Sequence, residues 1–228
     1  MVRLGFVIPV LNQMQLALET VESIRTDHEW QFYLERNYID NKGVAKAWNI
    51  GTRRAIEDGA DVVFVLNDDI VLGKDTVDQL VTHTTSGLYG VVTGCDHRNT
   101  HTPAEIFNLE NPNYEIDIID APDFACFAFS KTTWEIVGEF DENFYPAYFE
   151  DNDYVYRCLL AGRQPVRSQN SPFYHYGSRT QNAGGKQVVP SNQFVKNRAY
   201  YVSKWGGFPG QETFKTPFNN PDLGWQNW

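Results

Sequence analysis

The sequence predicts an α/β fold, one domain built on a mixed sheet of mostly parallel strands with helices flanking it. Three observations carry the prediction. Short apolar runs alternate with segments of helical spacing through the first half of the chain. Glycines stand where several of the helical patterns stop. The 228 residues, 42% of them apolar, suffice for one sizeable core and suit one large domain better than two small ones.

Taken in order, Phe6-Val7-Ile8-Pro9-Val10 reads as a short buried strand, and Leu16, Thr20, Ser23 and Ile24, with Val21 alongside, recur behind it at helical spacing. Residues 48–57 read as a second helix, closed by Gly59-Ala60-Asp61 before the apolar strand Val62-Val63-Phe64-Val65-Leu66. Residues 75–82 form another helix. Residues 90–94 and 124–129 are strands, separated by an irregular polar stretch, and 131–137 is a helix that stops at Gly138. Tyr154, Val155, Cys158 and Leu159 mark one face of a helix over 151–161, ended by Gly162. From Gly177 onward Gly, Asn, Pro and aromatic residues mix with little periodicity, which predicts loops and short helices over the core. There is no internal repeat and no low-complexity linker.

The formal charge of −10 opposes sequence-independent binding to a nucleic-acid backbone. The first apolar run is too short for a signal-peptide core, and no stretch approaches the roughly 18 to 20 apolar residues of a membrane span. A cytoplasmic protein without an integral membrane segment is expected. Cys95, Cys126 and Cys158 are odd in number and far apart, which predicts reduced, buried thiols rather than a disulfide framework or zinc motif.

The sharpest local feature is Asn67-Asp68-Asp69, two adjacent carboxylates at the C-terminal end of an apolar strand. Ligand sites of open α/β sheets lie at such strand ends, and hard oxygen ligands suit Mg²⁺ or Mn²⁺. An acidic turn capping the next helix is the competing reading. A second cluster, Glu150-Asp151-Asn152-Asp153, stands beside aromatic residues just before a helix. It is either a capping sequence or the source of a general base. His175 ends a short aromatic strand; it is a hydrogen-bonded structural residue or, beside a metal site, a ligand.

In their order along the chain, these segments resemble the family 2 glycosyltransferases of GT-A fold, in particular their rhamnosyltransferase-like branch. Ile8-Pro9-Val10-Leu11-Asn12 is similar to the family's first strand and Pro-x-x-Asn loop. Asn41-Lys42-Gly43-Val44-Ala45-Lys46-Ala47-Trp48-Asn49 is similar to the segment that borders the nucleotide. Asn67-Asp68-Asp69 stands where the DxD motif stands, with Asn67 in place of its first aspartate. Residues 138–154 resemble the segment that carries the base, and His175 follows at the family's spacing.

The resemblance implies inverting transfer of a sugar from a nucleoside-diphosphate sugar to an acceptor hydroxyl, with Mn²⁺ or Mg²⁺ as cofactor. It implies Asp151 as the base with Glu150 as the alternative, and Asp69, His175 and Asp68 as metal-binding positions. Pro9, Asn12, Asp40, Asn41, Gly43, Lys46, Asn49, Asn67 and Asp68 fall in the nucleotide-sugar pocket. It further divides the domain into a nucleotide-binding part over 1–95, an acceptor and base part over 96–176 and a C-terminal loop or lid over 177–228. Arg179 and Lys186 flank a loop, Gln181-Asn182-Ala183-Gly184-Gly185, that either closes over the diphosphate or is a solvated surface loop.

The stretch between Asn12 and Asn49 is short for the family, so one strand–helix unit is expected to be trimmed. Asp40-Asn41 then reads either as the end of a second strand or as the start of the nucleotide segment. The acceptor is a glycan, a lipid-linked or small-molecule hydroxyl or, against the acidic charge, a modified nucleobase. Two other functions compete. A sugar nucleotidyltransferase is expected to carry a Gly-rich phosphate loop after the first strand, and Val10-Leu11-Asn12-Gln13-Met14 has no glycine. A non-catalytic carbohydrate-binding protein fits the aromatic content but leaves Asp69, Asp151 and His175 without a shared purpose.

Overall fold

The run Val62–Leu66 (β3) is apolar at every position because both of its faces are covered. Val62, Phe64 and Leu66 enter the core on one side and Val63 and Val65 the core on the other, the two-residue period of a strand. The computed structural model describes residues 1–37, 40–109, 116–118, 123–177 and 190–226.

β1 (Arg3–Val10) lies parallel to β3, and β2 (Glu29–Arg36) lies parallel to β1 on its other side. Beyond β3 come β7 (Cys126–Ser130), β5 (Tyr89–Asp96), β8 (Gln164–His175) and β4 (Ile70–Leu72), while β6 (Ile116–Ile118) also pairs with β8. The sheet is mixed, as expected. Parallel pairing is concentrated in β2-β1-β3 and in β5-β8, and β7 runs antiparallel to both its neighbours.

Helices α1 (Met14–Glu22) and α3 (Thr76–Thr85) cover one face, with Ala17, Val77 and Leu80 in its core. Helices α2 (Val44–Glu57), α5 (Lys131–Val137) and α6 (Glu150–Leu160) cover the other through Trp48, Trp134 and Tyr154. α2 lies so close to β1 that a Cβ on Gly51 would come within 2.3 Å of Val7 Cγ1.

Several expectations are corrected. No strand–helix unit is trimmed, because α1, β2 and α2 all stand between β1 and β3. β2 escapes a search for apolar runs because it is an edge strand; Trp30, Phe32 and Leu34 alternate with polar or amphipathic neighbours, and most of its residues are exposed. The polar stretch after β5 contains a six-residue helix, α4 (Pro103–Asn108), started by a Thr102–Glu105 capping box.

The C-terminal region holds a 15-residue helix, α7 (Ser191–Trp205), where short helices and loops were expected. Its buried stripe is Asn197, Tyr201, Lys204 and Trp205, so two of its four inward positions are polar. That composition hides the helical period from a reading of apolar residues alone. Tyr201 and Trp205 build a third core cluster with Phe144, Phe149 and Tyr156. Cys126 and Cys158 are buried free thiols, and among the described residues no helix is long and apolar enough to cross a membrane.

Candidate active site

Parallel pairing brings the C-terminal ends of β1, β2 and β3 to one edge, where Asn37 N–H donates to the Val10 carbonyl at 2.8 Å. Pro9 is partly buried there, and Asn12 and Asp40 are exposed. Asn41 Oδ1 accepts from Gly43 N at 3.0 Å and from Asn37 Nδ2 at 3.3 Å. Tyr145 Oη donates to the Asn41 carbonyl at 3.0 Å, and Val44 N to the Pro146 carbonyl at 2.8 Å. Gly43 has φ +86°, and a Cβ there would stand 2.9 Å from Tyr145 Cδ2, so this position requires glycine. The loop after β2 is thereby tied to the segment leading to the second acidic cluster.

Lys46 is exposed and pairs with Glu142 at 3.5 Å. Asn49, expected in the nucleotide pocket, turns its amide inward. It is fully buried, its Nδ2 donates to the Phe140 carbonyl at 2.9 Å and to Glu142 Oε1 at 3.1 Å, and its Oδ1 accepts from Phe140 N at 2.8 Å. The amide therefore fastens α2 to the turn that leads to the second acidic cluster. Arg179, Lys186 and the 181–185 loop lie outside the described residues.

Register assembles the first acidic cluster. β3 ends at Leu66, and β4 starts at Ile70, which is the antiparallel partner of His175. Tyr176 N donates to the Asp69 carbonyl at 3.0 Å, and the His175 imidazole is drawn against the Asp69 side chain. Nε2 lies 3.0 Å from Asp69 Oδ1 and 3.4 Å from Asn67 Nδ2. The element that follows is a strand, so the cluster is not the capping turn of a helix. Asp68 and Asp69 are both buried.

The Asp69–His175 pair fits a divalent ion. Two adjacent ligands at bonds of about 2.1 Å in an octahedron stand about 3 Å apart, the separation of Oδ1 and Nε2. A carboxylate oxygen and an imidazole nitrogen suit Mn²⁺ or Mg²⁺ better than a thiolate-seeking metal. Among the described residues no group of three or more His, Cys, Asp or Glu is placed to hold a metal, so an ion at this pair would take its remaining ligands from phosphate and water.

The second acidic cluster separates into two parts. Asp153 is fully buried and accepts from Arg157 Nε at 2.8 Å, Lys204 Nζ at 2.7 Å and Trp205 Nε1 at 2.8 Å. Lys204, also fully buried, reaches Asp141 Oδ2 at 2.7 Å. Burial alone would push the Asp153 carboxyl up, but Lys204 and Arg157 bring it below its ordinary range. It is a structural anion, neutralised by Lys204 of α7 and Arg157 of α6.

Glu150 and Asp151 have no ion pair among the described residues. Burial, reinforced by Asp151, holds Glu150 well above the ordinary carboxylate range. Burial pushes Asp151 up to about 6, against the opposing pull of nearby backbone N–H groups. The N-cap position of α6 belongs to Phe149, whose side chain makes no capping bond, so neither Asp151 nor Asp153 is the capping residue. Tyr148 and Phe149 both adopt left-handed φ, +82° and +76°. Their N–H groups favour the charged forms of Glu150 and Asp151 respectively, against the effect of burial.

One carboxylate escaped the sequence reading. Asp123, just before β7, is raised by burial, accepts from Ala125 N at 3.3 Å, and feels the charges of Asp96, His175 and Arg98. Asp151 in turn feels Asp123. Asp123 thus stands in electrostatic reach of His175 and of Asp151. Its only signal in the sequence is a carboxylate immediately before an apolar strand, which many surface turns share.

No model of a known protein family matches the sequence. The chain is 38% identical over 104 residues to a galactofuranosyl glycosyltransferase of Leishmania donovani, covering 45% of this chain and 24% of that one. It is 24% identical over 149 residues to a low-salt glycan biosynthesis hexosyltransferase of Haloferax volcanii, covering 57% of this chain and 48% of that one. The chain therefore spans a quarter to a half of these relatives' lengths. Among solved structures it is similar to GalNAc-T7 with UDP, GalNAc and Mn²⁺, at TM-score 0.66 and 16% identity over 90% of this chain and 48% of that one. It is also similar to the catalytic domain of Drosophila β1,4-galactosyltransferase 7 with xylobiose, at TM-score 0.60 and 15% identity over 96% of this chain and 84% of that one. The fold is that of the GT-A glycosyltransferases, and the sequence relatives carry glycosyltransferase names.

Proposed function

We propose that the chain is an inverting glycosyltransferase that moves a sugar from a nucleoside diphosphate to an acceptor hydroxyl, with a divalent metal assisting departure of the diphosphate. The observation that carries this reading is the Asp69–His175 pair at a strand end, the carboxylate buried and the imidazole partly so, together with the carboxylate Asp151, which has no ion pair among the described residues. The order of the motifs further suggests the family 2 branch.

Pro9, Asn12, Asp40, Asn41, Gly43, Lys46, Asn67 and Asp68 would border the nucleotide and its sugar at the ends of β1, β2 and β3. Asp69 and His175, with Asp68 beside them, would hold Mn²⁺ or Mg²⁺. A bound ion would neutralise negative charge growing on the diphosphate. Asp151 takes the proton of the acceptor hydroxyl as its oxygen attacks the anomeric carbon. The bond from that carbon to the diphosphate oxygen breaks, and its electron pair leaves with the diphosphate. An acceptor reaching Asp151 passes Tyr145 and Tyr148, which are 46% and 41% exposed and offer ring faces to a sugar.

Thermal melting with UDP, GDP and dTDP, each with and without Mn²⁺, tests the donor half of this reading. A binding nucleotide raises the melting temperature in step with its concentration over its Kd. Stabilisation by one of them, larger with Mn²⁺, is the expected result. A protein stabilised by free sugars and by no nucleotide would instead be a carbohydrate-binding protein.

A further inference from the structure

We propose that Asn197 of α7 is a positioning residue for the Glu150–Asp151 carboxylates, an inference that rests on the reading of Asp151 as base. Two consecutive non-glycine residues with left-handed φ are strained and persist only where their surroundings over-determine them. Tyr148 and Phe149 hold that conformation immediately before the two carboxylates, so it sets where α6 and its first two side chains begin.

The restraint comes from α7. Asn197 is 2% exposed, and its Nδ2 donates to the Ala147 carbonyl at 2.9 Å and to the Tyr148 carbonyl at 3.2 Å. Gln193 Nε2 donates to Asn197 Oδ1 at 3.1 Å, one helical turn away, and fixes which way the amide points. Phe194 packs on Tyr148 and Phe149 with ring centroids 5.3 and 5.2 Å away. A single side chain with both its N–H groups committed to the strained peptides converts the seating of α7 into the aim of the carboxylates.

The experiment compares Asn197→Ala, the milder Gln193→Ala and Tyr201→Phe. The last lies on the same helix and loses only the hydroxyl donated to Glu212. Each is assayed with Mn²⁺ for UDP release from UDP-galactose and from UDP-N-acetylgalactosamine, giving kcat and donor KM separately, and each is melted. Positioning predicts kcat roughly 10- to 100-fold lower in Asn197→Ala, a smaller fall in Gln193→Ala, and donor KM within about twofold of the parent in both. Tyr201→Phe keeps the parent kcat whatever its melting temperature. Equal kcat in Asn197→Ala and Tyr201→Phe overturns the inference, as does a kcat loss that tracks melting temperature across the three. Should Asn197→Ala fail to fold, Gln193→Ala with parental kcat overturns it alone. Parental turnover in Asp151→Asn overturns the base assignment instead, and a parent stabilised by none of UDP, GDP and dTDP overturns the proposed function.

Discussion

Asn67-Asp68-Asp69 and Glu150-Asp151-Asn152-Asp153 have nearly the same composition, yet the fold gives them different surroundings. The first is set by strand register: Ile70 opposite His175 brings one imidazole to one carboxylate. The second is set by α7, which delivers Lys204 to Asp153 and Asn197 to the peptides before Glu150. What separates Asp151 from Asp153 is the set of partners each is given, one of them brought from a distant part of the chain. Asp153 has two buried cations, and Asp151, two residues earlier, has none among the described residues.

Breaking the cation side of that contrast has the largest expected effect. Lys204→Met leaves Asp141 and Asp153 buried with less compensation and is expected to cost about 3–5 kcal/mol of stability in denaturant titration. A loss below about 1 kcal/mol would remove the buried network from the account. Asp151→Asn is expected to fold like the parent and bind nucleotide equally, while kcat falls roughly 10²- to 10⁴-fold. Parental turnover in that variant would move the base elsewhere, with Glu150→Gln the next to measure.

Asn49→Ala sharpens the comparison from α2. It strands the Phe140 N–H and carbonyl in a buried site and is expected to cost about 1–3 kcal/mol without changing nucleotide affinity. A change in affinity with unchanged stability would return Asn49 to the pocket. The smallest effect is the pH profile. Asp151 acts unprotonated, so turnover should be flat above about pH 6 and fall about tenfold per unit below it. The folded value is raised from 3.8 to about 6, so the fold binds this proton more tightly than the unfolded chain. This group's contribution favours the fold at low pH and is lost as pH rises through that window. A profile flat down to pH 4 would contradict a base of this kind.

The sequence made the first cluster legible because β3 is an uninterrupted apolar run and its C-terminal end is where α/β sheets bind ligands. The α/β class and most of the elements around the sheet followed from periodicity in the same way. The second cluster was legible as acidic but not as divided, because nothing near residue 153 announces a lysine 51 positions later. α7 itself was hidden by Asn197 and Lys204 on its inward face, the residues that give it its role. β2 was lost because edge strands need no apolar run, and Asp123 because a single carboxylate carries no spacing. Asn49 was placed in the pocket by resemblance, whereas its amide turns inward to the Phe140 backbone.

The central claim is that the two clusters form one site with separate duties, the first holding donor and metal and the second taking the proton. Calorimetric titration of the nucleoside diphosphate that stabilises the parent, with and without Mn²⁺, tests it on the parent, Asp69→Ala and Asp151→Asn. The account predicts that Asp69→Ala loses the Mn²⁺-dependent part of the affinity while Asp151→Asn retains it in full. Undiminished Mn²⁺-dependent binding in Asp69→Ala would contradict it.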